Sequence, residues 1–119
     1  ELHMSDGTFP VTIEEGIHIV KLAECILQNM PPEQIGPEIV QIIDKATDPK
    51  LIISFEEVEH LSSASLGMLL MINNSILNRQ GKLVLCCLNR RVQDLFDLTK
   101  LTMKFTIVRN MDEAFEALP

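Results

Sequence analysis

The chain has no tryptophan, no tyrosine and only five phenylalanines. Its core must therefore be filled by Leu, Ile, Val and Met rather than by large rings. Cysteines number three, Cys25, Cys86 and Cys87. An odd count with two adjacent residues offers no disulfide framework and fits the reducing cytosol, so the expected location is cytoplasmic. On a strand, Cys86 and Cys87 are expected to point to opposite faces and to act as small hydrophobes. The five glycines stand singly, and neither a Gly-rich phosphate loop nor a G-x-S-x-G elbow is found. No apolar run approaches the roughly 20 residues of a membrane span, and no signal-peptide pattern is present. His3, His18 and His60 have no C-x-x-C or H-x-x-x-H partner, so no zinc site is expected. Cations are also short: 10 Lys and Arg stand against 17 Asp and Glu, for a net charge of -7 and a pI near 4.8. That balance argues against nucleic acid or an anionic membrane as partner, although acidity also serves plain solubility.

What is there fits one domain. The 119 residues are 46% hydrophobic, enough for a single core. Glu1-Leu2-His3-Met4 resembles an expression scar before a native start at Met4. Residues 1–8 are set aside as that scar and a flexible N-terminus, leaving 9–118 as the domain. Phe9 to Val11 and Ile17 to Leu22, around Glu14-Glu15-Gly16, read as a hairpin. The stretch from Cys25 to Gly36 is hard to read, with Pro32 able to seat a first helical turn. From Pro37, apolar residues recur at helical spacing until Asp48-Pro49. Leu51 to Phe55 reads as a buried strand, and Leu66 to Gln80 as a helix stopped by Gly81. Leu83 to Leu88 is a strand, Asn89 caps a further helix, Phe105 to Val108 is a strand, and Asp112 to Leu118 a last helix. Strands alternating with helices argue for an α/β domain with a mixed sheet of four or five strands and four helices packed mainly on one face.

The densest signal is Val58-Glu59-His60-Leu61-Ser62-Ser63-Ala64-Ser65-Leu66-Gly67-Met68. It places small hydroxyl residues where a strand gives way to a helix. Unpaired N–H groups and partial positive charge at a helix N-terminus suit a serine cap and also stabilise an added phosphate. Helix capping and a phosphorylation switch both stay open. Glu56, Glu57 and Glu59 read as a solvated loop edge, since perturbed carboxylates need burial. Ser63 near His60 lacks an oriented base and oxyanion donors, so no enzyme is expected. The helix after the loop is apolar beyond a simple stripe. Met68, Met71 and Ser75 are the candidates for a partner-facing side, with core packing the other role open to each.

Taken together, Leu51 to Phe55, the Val58 to Gly67 loop, Gly81-Lys82-Leu83-Val84-Leu85 and Val92-Gln93-Asp94-Leu95-Phe96-Asp97-Leu98-Thr99-Lys100-Leu101 resemble the STAS domain of anti-sigma factor antagonists. The resemblance runs from about Phe9 to Leu118. It implies a STAS-type fold and a protein-binding switch in transcription regulation, with no cofactor. A serine in an Asp-Ser-Ser/Thr-Gly-Leu-Gly loop is phosphorylated there by an anti-sigma factor with serine kinase activity, and the unphosphorylated form sequesters that kinase. By position Ser63 takes the phosphorylated place. Ser62 replaces the acidic residue, Ala64 the second hydroxyl residue and Ser65 the first glycine, while Leu66 and Gly67 match. The lost carboxylate also suits an alternative, a STAS scaffold subunit partnering an ABC-transporter ATPase.

Overall fold

The computed structural model describes residues 2–4, 10–23 and 30–118. Its strands are β1 (Leu2–Met4), β2 (Pro10–Glu14), β3 (Ile17–Ala23), β4 (Lys50–Glu57), β5 (Lys82–Cys86) and β6 (Thr106–Val108). The helices are α1 (Pro32–Ile43), α2 (Ser63–Asn78), α3 (Arg90–Leu98) and α4 (Met111–Ala117), with a 3-10 turn at Leu101–Met103. They form one six-stranded mixed sheet in sequence order. β1, β2 and β3 pair antiparallel, and β3 to β6 run parallel. The mixed α/β sheet is as the sequence implied. The added feature is β1, whose backbone pairs Leu2 to Met4 with Thr12 to Pro10, within residues the sequence reading set aside. Cys25, expected to be a small hydrophobe, lies outside the described residues.

The β2–β3 hairpin closes through Glu15 and Gly16, both with positive φ (52° and 79°). A two-residue turn needs that conformation to match the twist of its strands, and glycine adopts it without strain. Each later strand is laid beside its predecessor, always in the same direction across the sheet. Right-handed crossovers then put their helices on one face. Accordingly α1, α2 and α3 share one core with Leu51, Ile53 and Phe55, the alternate residues of β4. Ile52, between them, faces the other way and packs with Ile17, Ile19, Val84 and α4's Ala114. β4 is thus covered on both faces, which is why its sequence reads as a continuous apolar run. Each such buried side chain contributes about 1.5–3 kcal/mol. Phe96 and Phe105 meet edge-on at 5.6 Å and fasten α3 to the segment before β6.

Both helix boundaries use the residues the sequence offered. Helix α1 begins at Pro32, able to seat a first turn because its missing N–H costs nothing there, ahead of the clear pattern from Pro37. The stop of α2 is shared: Gln80 takes the left-handed φ of 62°, and the Gly81 N–H closes the helix end on Ile76 O at 2.8 Å. A Cβ at Gly81 would also collide with the Pro49 carbonyl. At the start of α4, the Arg109 backbone N–H and guanidinium both donate to Glu113, holding that carboxyl below its usual range.

Candidate functional site

The site grows from the C-terminal end of β4. Glu56 and Glu57 are exposed, and Val58 turns inward with its N–H on Phe55 O at 3.0 Å. Leu61 is buried, so the loop between strand and helix is pinned at both ends while Glu59 and His60 face solvent. Asn89 adds a clamp from the neighbouring connection. Its Nδ2 donates to Val58 O at 3.2 Å and Glu59 O at 3.0 Å, and its Oδ1 accepts from Val92 N–H at 2.9 Å. One amide therefore caps α3 and fixes the serine loop. The sequence pointed to the cap alone; the two donors of the same side chain were the available signal for the second role.

Ser62 is the N-cap of α2, with φ -88° and ψ 167°. Its Oγ accepts from Ser65 N–H and its hydroxyl donates to Ser65 Oγ, both at 3.1 Å. Ser65, where the resemblance has a glycine, is a buried helical residue and not part of a loop. With capping assigned to Ser62, Ser63 is left at the first helical position, exposed and at the positive end of the helix dipole. The first turn of α2 carries no acidic residue, so an added anion meets no like charge within that turn. Ala64 and Gly67 are exposed beside it, and a Cβ on Gly67 would meet nothing within 4 Å.

A groove of about 450 Å³ runs from this turn towards α1, lined by Glu33, Ala64, Gly67, Met68 and Met71. Behind it, Gly36 lets α1 come against α2 at Met68 and Met71. Of the residues singled out for a partner-facing side, Met71 is 39% exposed and Ser75 half-buried. Met68 is not on that side: at 4% exposure it belongs to the core, with only its edge at the groove floor. Its i, i+4 relation to buried Ile72 turns it inward. Glu33, contributed by α1, had no sequence signal because its helix began before the readable pattern. Among the described residues, no hydrogen bond joins His60 to Ser63, and no helix is long and apolar enough to cross a membrane.

The STAS domain family model matches residues 11–114. BtrV of Bordetella bronchiseptica, named as a candidate anti-sigma factor antagonist, is 22% identical over 99 residues, covering 83% of this chain and 84% of BtrV. The crystal structure of TM1081 from Thermotoga maritima, also titled a candidate anti-sigma factor antagonist, superposes with a TM-score of 0.81 at 23% identity over 98% of both chains. A STAS domain protein from Planctomyces limnophilus gives 0.76 at 22% identity, covering 90% of this chain and 94% of that one.

Proposed function

The chain belongs to the STAS domain family, and from that premise we propose that it is an anti-sigma factor antagonist whose binding is switched by phosphorylation of Ser63. The observation that carries the reading is the division of labour at the head of α2. Ser62 satisfies the helix end, so Ser63 is free of a structural task and faces solvent. In the unphosphorylated state an anti-sigma factor with serine kinase activity docks over Ser63, Ala64, Gly67 and Met71 and is sequestered from its sigma factor. The likeness to BtrV, named as a candidate anti-sigma factor antagonist, supports an anti-sigma factor as the partner. Phosphorylation adds about -1.5 to -2 charges. The group would stand downstream of Glu56, Glu57 and Glu59, so the partner meets a bulky anion on an already acidic rim and is released by repulsion and steric exclusion. The chain is the kinase's substrate, and ATP belongs to the partner.

The experiment is incubation of the chain with a kinase-type anti-sigma factor and ATP, read by intact mass and peptide mapping. One phosphate on Ser63, absent in Ser63→Ala, is the expected result. No phosphate on Ser63 overturns the switch and favours the scaffold reading with an ABC-transporter ATPase.

A further inference from the structure

Three sulfur atoms meet on the sheet face covered by α4. Cys87 Sγ–H donates to Cys86 Sγ at 3.6 Å, and Cys86 Sγ–H donates to Met111 Sδ at 3.5 Å. Strand alternation would have kept the two cysteines apart, as the sequence reading expected. They are brought together because Cys87 lies just beyond β5 with a φ of 64°. A left-handed non-glycine residue is strained and persists only where its surroundings enforce it. Cys86 is buried, whereas Cys87 and Met111 are half-buried, so the group is reachable from one side. Ser54 lies opposite Cys86 in the β4–β5 register, and the Glu56 carboxylate acts on Cys86 through its charge.

The ligand chemistry is narrow. Among the described residues no three His, Cys, Asp or Glu side chains gather as a metal site. Two thiols completed by a thioether select soft ions over the borderline and hard ones. A trigonal set with metal–sulfur bonds of about 2.3 Å holds its sulfurs about 4 Å apart. The Cys86–Met111 and Cys87–Cys86 separations of 3.5 and 3.6 Å lie just inside that spacing.

We propose that Cys86, Cys87 and Met111 form a binding site for a soft monovalent metal ion, with Cu(I) the best match. Binding forms two metal–thiolate bonds and one metal–thioether bond, and the two thiol protons leave to solvent. The ion stays Cu(I) and no electrons are exchanged. The site is independent of the phosphorylation reading, and its test involves neither kinase nor ATP.

The test is anaerobic titration of the fully reduced chain with Cu(I) against bathocuproine disulfonate, with native mass reporting the adduct. The parent chain and Cys25→Ser should each retain one Cu(I). Cys86→Ser and Cys87→Ser should lose it, and Met111→Leu should bind at least about tenfold more weakly. Cys87 and Met111 are half-buried, so their variants keep the test decisive if Cys86→Ser does not fold. No retained ion in the parent, retention in Cys87→Ser, loss in Cys25→Ser, or unchanged affinity in Met111→Leu overturns the proposal.

Discussion

Gly36 on α1 faces Met71 on α2 so closely that a Cβ at Gly36 would collide with Met71 Cε, with Met68 Cγ 3.2 Å away. This contact lets α1 and α2 approach closely beside the groove. Met71 is half-exposed and its methyl end can swing out, whereas Met68 is held in the core. Gly36→Ala gains about 1 kcal/mol of helix propensity, which offsets overpacking of about 1–3 kcal/mol at its low end. Its stability in urea denaturation should stay within about 1 kcal/mol of the parent, while Gly36→Val, branched at the same spot, should lose about 2 kcal/mol or more. A Gly36→Ala loss as large as that of Gly36→Val would mean that Met71 cannot yield.

The two serines at the head of α2 should separate in stability measurements. Ser62→Ala removes the cap and leaves buried Ser65 Oγ without its donor, so it should cost about 0.5–2 kcal/mol. Ser63→Ala touches an exposed side chain and should change stability by less than about 0.5 kcal/mol. Chemical denaturation of both variants checks this. Equal losses would show that Ser63 shares the capping and would weaken its assignment as the free hydroxyl.

How much of this was readable beforehand depended on whether local chemistry and tertiary contact agreed. The Leu51 to Phe55 strand was legible because burial on both faces leaves a continuous apolar run. The capping serine was narrowed to a group and not to one residue, since Ser62, Ser63 and Ser65 are chemically alike and only the chain's exact turn decides which oxygen reaches the amides. Pro32 was legible as a possible first turn, but the helical pattern was followed only from Pro37, because a proline inside a helix reads as a boundary. The cysteine pair was misplaced for a different reason. Positive φ is ordinarily signalled by glycine or asparagine, and at Cys87 the surrounding fold imposes it on a residue that does not advertise it. Met68 and Met71 looked equivalent in sequence; their angle around α2, with Met68 above buried Ile72, separates their roles.

Cys86 gives the fold an alkaline limit. Burial, first, and then the Cys87 thiol beside it push the Cys86 thiol from 9.0 up to about 12. A thiol whose folded pKa is raised contributes stability that is fully present below pH 9 and is lost as pH climbs towards about 12. Denaturation midpoints of the parent should therefore fall across that window. Cys86→Ala, which has no thiol to ionise, should fall less steeply. Parallel pH profiles for the two proteins would remove Cys86 as the cause.

A charge at Ser63 should act on the partner and not on the scaffold. Ser63 is the first residue of α2, and the turn it begins holds no acid. A carboxylate there meets the positive end of the helix dipole, worth about 0.3–1 kcal/mol, so Ser63→Asp should match or slightly exceed the parent in thermal stability. Its binding to a kinase-type anti-sigma factor should nevertheless weaken relative to Ser63→Ala, because the new charge extends the acidic edge of Glu56, Glu57 and Glu59 across the docking turn. Raising the salt concentration should narrow the gap between the two variants, since part of the repulsion is screened. Calorimetric titration of both at low and high salt measures each quantity. Equal affinities for Ser63→Asp and Ser63→Ala would mean that the partner does not sit over this turn, even if the hydroxyl is phosphorylated.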